Sequence, residues 1–307
     1  MKIALFSLAV TAAVSSTSAF LAPTAVNRQN AITMPMSVEP TTESGGTEFF
    51  PTDLPFQRIE GGGTLRTYKL PPGAERVQYE VRTNGRPLKA KIELWLGPIR
   101  RTHCMDVDLM DGSKTPFRGT LLKFRGPEPV LKISTAPDCS GEFPLLAAVY
   151  APPPKRQIEI MEEVQQLWDA SPKSLVQGGS TWGGLGQVRT FDVDDTVDSV
   201  QLIIWSGETG RKSLKAKLEA LAGPNNMRQF YDLHCGGGSQ PYHCIIDTPG
   251  PGWTLRIQNK KFVEDGLFQV VAQPYTGEGE VHIRPDGAPT PSRTAVSTNP
   301  AKKEWWQ

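Results

Sequence analysis

The sequence predicts an all-β protein made of two tandem, homologous β-sandwich-like domains, and three observations carry that expectation. First, the chain repeats itself. Leu88 to Pro98 reads LKAKIELWLGP and Leu214 to Pro224 reads LKAKLEALAGP, a match too long and too close for chance in an ordinary composition. Second, the repeated segment alternates. Leu88, Ala90, Ile92, Leu94 and Leu96 are interleaved with Lys89, Lys91, Glu93 and Trp95, and Leu214, Ala216, Leu218, Ala220 and Ala222 with Lys215, Lys217, Glu219 and Leu221. That is the period of a strand with one buried and one wet face. Third, Gly, Pro and Asn interrupt the apolar runs at short intervals, as the turns of an all-β unit do.

The flanks extend the duplication. Leu65-Arg66-Thr67-Tyr68 is echoed by Val188-Arg189-Thr190-Phe191, Val77-Gln78 by Val200-Gln201, Pro116-Phe117 by Pro241-Tyr242, Gly126 to Ile133 by Gly250 to Ile257, and Phe143 by Phe268. The offset stays between 123 and 126 residues, which a few small loop insertions explain. Further strands are expected at Val77 to Arg82, Leu131 to Thr135 and Leu145 to Tyr150, and at Val200 to Trp205, Trp253 to Gln258 and Leu267 to Ala272. Each copy then holds about six to eight short strands, most simply a small sandwich, with Trp205 and Trp253 assigned to core packing.

Between the copies, Pro152-Pro153-Pro154 halts the last strand. Ile160, Met161, Val164, Leu167 and Trp168 then form a helical stripe within Lys155 to Ala170, and Pro154 suits the helix start, where its missing N–H does no harm. The stripe is expected to pack on one or both copies. The chain thus divides into a signal peptide (1–19), a transit segment (20–38), a flexible arm (39–55), β copy 1 (56–151), a Pro-rich helical linker (152–174), β copy 2 (175–284) and a flexible tail with an aromatic end (285–307).

The presequence reading rests on composition. Met1-Lys2, an apolar run from Ile3 to Val14 and the small residues Ser15 to Ala19 have the layout of a signal peptide, and the run is too short to anchor in a bilayer. Phe20 to Val38 carries Arg28, several hydroxyl residues and no acid, the composition of a transit peptide. The junction Thr17-Ser18-Ala19-Phe20-Leu21-Ala22-Pro23 resembles the ASAFAP-type motif of bipartite plastid-targeting presequences in diatoms and their relatives. Plain secretion is the alternative; it sits poorly with four cysteines without framework spacing and no Asn-X-Ser/Thr acceptor. Lys plus Arg total 33 against 32 for Asp plus Glu in 307 residues, a net charge of +1, so no field points to nucleic acid or to an anionic membrane surface.

Chemistry-bearing motifs are sparse. His103-Cys104, His234-Cys235 and His243-Cys244 invite a zinc reading, but neighbours on a strand point to opposite faces and no C-x-x-C knuckle is present; buried thiols and incidental histidines are the plainer reading. Gly207 to Ser213 has the outline of a phosphate loop, interrupted by Arg211 and placed between strands. Asp106, Asp108 and Asp111-Gly112 have the wrong spacing for a calcium loop. No nucleophile–histidine constellation is indicated, and the expectation is a non-enzyme with no metal and no cofactor.

Presequence, the two β copies with their LKAK-IE/LE-GP strands, and the tail Lys302-Lys303-Glu304-Trp305-Trp306-Gln307 together make the chain resemble the diatom pyrenoid shell (PyShell) protein family over nearly its full length. The resemblance implies a protein that assembles with itself into a sheet or tube around the Rubisco matrix at the pyrenoid periphery in the plastid stroma, with Rubisco a candidate second partner and no catalytic turnover. It transfers no catalytic residues. Two adjacent tryptophans on a polar tail suit an aromatic anchor in a neighbour's groove, with Lys302 and Lys303 as rim charges; the alternative is a tail folded back on its own chain. Trp95, on the wet face of its strand, is expected either beneath the linker helix or at an interface. A monomeric carbohydrate-binding sandwich and a plastid hydrolase or isomerase are the rival readings.

Overall fold

The computed structural model describes residues 32–33, 49–51, 54–71, 74–122, 129–136, 143–179, 186–206, 213–223, 226–236, 241–261 and 266–285. The presequence apart from 32–33, the Gly207 loop apart from Ser213, and the tail with Lys302, Lys303, Trp305 and Trp306 lie outside the described residues.

The first copy supplies β2 (Gln57–Ile59), β3 (Leu65–Lys69), β4 (Arg76–Arg82), β5 (Leu88–Leu96), β6 (Arg100–Leu109), β7 (Phe117–Leu122), β8 (Pro129–Thr135) and β9 (Leu145–Tyr150), and a two-residue β1 (Ile32–Thr33) precedes them. After helix α1 (Pro154–Ala170), the second copy repeats the series as β10 (Ser174–Val176), β11 (Val188–Val193), β12 (Val197–Trp205), β13 (Leu214–Ala222), β14 (Met227–Cys235), β15 (Tyr242–Asp247), β16 (Trp253–Asn259) and β17 (Phe268–Gly277), followed by β18 (Val281–Ile283). The all-β class is as the alternation predicts; β5 and β13 alternate inward apolar and outward polar residues along almost their whole length.

The layers depart from two side-by-side sandwiches. A ten-stranded sheet runs β1-β3-β8-β5-β6-β14-β13-β16-β11-β18 and an eight-stranded sheet runs β10-β17-β12-β15-β7-β4-β9-β2, so each sheet crosses from one copy to the other without a break. The crossings are antiparallel pairings of β6 with β14 and of β7 with β15. Their registers show an approximate two-fold axis. Asp106 and Asp232 are equivalent positions, each facing a lysine of the duplicated segment (Lys91 and Lys217), and they face one another across the junction. In the other sheet Gly119 faces Cys244, and these too are equivalent, opposite Tyr79 and Leu202 respectively.

One core fills the space between the sheets and draws on both copies. Near the axis it contains Tyr79, Met105, Phe117, Tyr231, Leu233 and Tyr242, and the rings of Phe117 and Tyr231 lie 4.5 Å apart across the copy boundary. Burying an apolar side chain of this size contributes about 1.5–3 kcal/mol, so the halves stabilise one another through shared side chains as well as ladder hydrogen bonds. Trp253 is in this core; Trp205 is not, because it sits on the outer face of the eight-stranded sheet with its ring edge-on to Trp168, 5.5 Å away.

That outer face is covered by α1. Ile160, Val164 and Trp168 recur every four residues along the helix and pack on Ile203, Ile245 and Val271 of β12, β15 and β17. Pro154 occupies the first turn, and the helix ends where Ser171 precedes Pro172, as a residue before proline disfavours helical backbone. Phe49 and Phe50 join the same cluster, buried to 7% and 3% exposure. The segment expected as a free arm is therefore docked at this point.

Gly119 exists because two hydroxyls occupy its side-chain space: a Cβ there would lie 2.6 Å from the Tyr79 Oη and 2.9 Å from that of Tyr242. Gly119→Ala is expected to destabilise the fold by roughly 1–3 kcal/mol, as overpacked cores do, measured by urea unfolding. Adding Tyr79→Phe should return part of the loss; a neutral Gly119→Ala would refute the packing account.

Candidate assembly surfaces

His103 of β6 is buried with neither ring nitrogen paired, and desolvation pushes its pKa down to about 3. The thiols of Cys104, Cys235 and Cys244 are buried and free; burial pushes Cys104 up to about 11 and Cys235 up to about 12, the opposite of a reactive nucleophile. Cys235 and Cys244 both point into the shared core, from opposite sheets, while their histidine neighbours point out of it, His243 toward Phe49 and Arg76 and His234 toward Lys215 and Asp232, so the two His-Cys pairs of the second copy do not converge. Among the described residues no group of three His, Cys, Asp or Glu is placed to hold a metal. The three aspartates weighed for calcium also separate: Asp106 and Asp108 lie on the face of β6 beside Lys91 and Lys89, while Asp111 accepts from the Ser113 and Lys114 amides in a turn.

A polar network that the sequence did not announce sits under α1 where the copies meet. Arg76 of β4 is fully buried and donates to His243 Nδ1 of β15 at 3.0 Å. Because a guanidinium only donates, His243 is the acceptor there and neutral, and burial, then the Arg76 charge, holds its pKa well below the usual value. Phe49 stands edge-on to the His243 ring at 5.0 Å, and its carbonyl accepts from Gln78 at 2.6 Å. From the helix, Gln157 Oε1 accepts from the Glu75 amide at 3.0 Å and its Nε2 donates to the Pro152 carbonyl, while the Glu163 carboxylate offsets the burial that lowers Arg76 to about 9. The helix is thus tied to β4 of the first copy by polar contacts and to the second copy by its apolar stripe.

The outer face of the ten-stranded sheet is a charge ladder. Lys89 pairs with Asp108 at 3.2 Å, Arg101 with Glu93 at 2.7 Å, Lys217 with Glu219 at 2.7 Å, and Lys260 with Asp232 at 2.5 Å. Exposed pairs of this kind contribute about 0–1 kcal/mol each; what they do is keep a broad face wet. Trp95 lies on this face with Lys132 over its ring at 4.4 Å and its indole N–H donating to Glu93 at 3.2 Å. It is not beneath the linker helix, because α1 covers the other sheet. The interface alternative for Trp95 remains.

The ends of the ten-stranded sheet are its third surface. β11 carries β18 antiparallel, with Phe191 opposite Ile283 and Val193 opposite Val281. The Arg284 amide donates to Thr190 O and the Asp194 amide to Glu280 O, so Glu280, His282 and Arg284 face β11 and the N–H and C=O groups of Val281 and Ile283 point away from it. At the other end, Leu70 N bonds Pro129 O and Thr135 N bonds Thr64 O. Even-numbered residues of β3 thus face β8, and Leu65, Thr67 and Lys69 present their backbone groups outward, toward the position where β1 pairs parallel with Tyr68 and Lys69.

The buried histidines set a pH dependence. Both have folded pKa values depressed below the unfolded value near 6.5, so the unfolded chain binds more protons below that pH. Stability should be fully present above pH 6.5 and fall between pH 6.5 and 5, above the range of the carboxylates, with a slope of up to about 1.4 kcal/mol per pH unit per histidine. The register makes Gln229 the counterpart of His103. Urea unfolding of His103→Gln across this window should lose one proton's share of the slope; an unchanged slope would show that His103 is not buried neutral.

The comparisons with known proteins bear on both copies together. A search of curated proteins finds no match. The family model described as diatom pyrenoid shell protein matches residues 50–274, from the docked Phe50 into β17, and so takes in both copies, α1 and both crossings. On that match, the chain belongs to the diatom pyrenoid shell protein family.

Proposed function

We propose that this protein is a structural brick that assembles with itself into the sheet or tube enclosing the Rubisco matrix at the pyrenoid periphery in the plastid stroma, supporting carbon concentration and fixation without catalysing a reaction. The carrying observation is the family match across residues 50–274; the pyrenoid shell role follows from the family, and the assembly and the Rubisco enclosure are our reading.

Physical features support it. The protomer has two similar, non-identical halves, and heterologous contacts between unlike surfaces propagate into open arrays wherever the rotation between copies does not close a ring. Its broad faces differ: one carries the charge ladder, the other α1 and its apolar underlay. A layer of such bricks in one orientation has two chemically distinct sides, as a boundary between two compartments requires. The buried neutral histidines and high-pKa thiols offer no activated group, in keeping with a role in adhesion. We assign Trp305 and Trp306 as tail anchors, with Lys302 and Lys303 at the rim and Trp95 as a contact on the ladder face.

Electron microscopy of the purified chain from residue 39 onward, without any partner, should show sheets or tubes. A chain that stays monomeric and binds an oligosaccharide would replace this reading with the binding-module one. Deleting residues 302–307 should weaken or abolish assembly while leaving unfolding unchanged; a deletion variant with intact assemblies would remove the tail anchor and leave the shell reading in place.

A further inference from the structure

The two ends of the ten-stranded sheet are equivalent by the internal two-fold, yet they are finished differently. On β11 the outer position is taken by β18, which the chain reaches through the turn after Gly277. On β3 no such strand is available, because the chain beyond β9 enters Pro152-Pro153-Pro154 and α1. The position beside Tyr68 and Lys69, counterparts of Phe191 and Asp192, is filled by Ile32–Thr33. Those two residues lie inside the segment that the sequence marks as removable transit peptide. Once it is gone, Leu65, Thr67 and Lys69 have outward backbone groups and, among the described residues, no strand beside them.

We propose that the edge of β3 is a strand-addition site whose occupant is β18 of a second copy, and that the transit segment blocks it until removed. Strand polarity selects this occupant. β3 and β11 are separated by seven successive antiparallel pairings and therefore run in opposite directions, and β18 is antiparallel to β11. Hence β18 runs parallel to β3. A second copy related by simple translation brings its β18 beside β3 in the parallel sense, the sense in which β1 already lies there. The outward groups of Val281 and Ile283 meet those of Leu65, Thr67 and Lys69, completing hydrogen bonds that an open edge leaves to water. Ile283, a large apolar residue 48% exposed, comes opposite Tyr68, the register position that β1 takes in the unprocessed chain. The contact is head-to-tail and, with the copies related by translation, it does not close; it continues the sheet from copy to copy with every charge ladder on the same side.

This inference rests on the assembly reading above, and its test separates the two. Thr67→Pro removes an outward donor on β3, and Ile283→Pro removes one on β18, each without touching a hydrogen bond to the strand behind it; proline is accepted at such edge positions. In the chain from residue 39 onward, each should raise the concentration needed for assembly about fivefold to tenfold, the equivalent of one lost hydrogen bond, with unchanged unfolding midpoints. Electron microscopy and sedimentation read the assembly. A chain from residue 20 onward should assemble poorly, and Ile32→Pro in that longer chain, which weakens the block, should assemble better. If the mature wild-type chain assembles and both edge variants match it, strand addition is overturned and the shell reading stands. If the mature wild-type chain never assembles, both fall.

Discussion

The interior crossing of β6 with β14 and β7 with β15 is the constraint on which the rest depends. A backbone donor or acceptor in a buried strand needs a partner, and a single copy ends at β6 in one sheet and β7 in the other, strands of ten and six residues. Left open, these edges would be long, half-apolar templates for any passing strand. The second copy closes both at once, and the two-fold register makes each strand the partner of its own counterpart. Duplication therefore solves an edge problem as well as doubling a domain. The small core residues on the axis follow from it: Gly119 gives up its side chain so that Tyr79 and Tyr242 can meet where the sheets cross.

The symmetry is broken on one face, and that break places the helix. The seat of α1 is Ile203, Ile245 and Val271; the registers make their counterparts in the first copy Glu80, Thr120 and Ala148. An apolar stripe has one place to go, and a linker leaving β9 reaches it by crossing the copy boundary. On the first copy's half, Arg118 of β7 holds Asp247 of β15 with both carboxylate oxygens at 2.8 Å, a partly buried pair across the junction. Burial raises the Asp247 pKa even beside that guanidinium, so the pair contributes orientation between the copies more than net stability.

The fold class, the duplication and the helix were legible because each has a period: two for β5 and β13, close to four for Ile160, Val164 and Trp168. The strands that join the copies alternate over only part of their length, at Met105 to Leu109 and Tyr231 to Cys235. β6 puts His103 and β14 puts Gln229 at inward positions that alternation expects to be apolar, and both residues are buried. Their pairing is long-range and set by the partner strand, which local patterning cannot register. The same holds for the Arg76–His243 contact, whose members lie far apart in the chain, and for Phe49 and Phe50, two aromatics in a Pro-containing polar stretch that reads as an arm until the groove beside α1 is seen. Trp205 went to the wrong layer for a related reason: period two says which residues share a face, and a helix covering the outer face makes that side apolar too.

Where the copies agree and where they differ follows the same logic. The closest match in sequence falls on β5 and β13, and each of these has a strand on both sides within the ten-stranded sheet. A residue there must fit the core on one face and cross-strand neighbours on the other, so few substitutions satisfy every contact. The ends of the sheets bear half of those demands. β1 and β18 differ in length, polarity and position along the chain, although they occupy equivalent places. A brick needs an interior that is fixed and ends that are free to specialise, because unlike ends make an open array while like ends close into a pair. A duplicated sandwich provides both: identical demands hold its centre constant, and relaxed demands leave its rims to diverge into complementary surfaces.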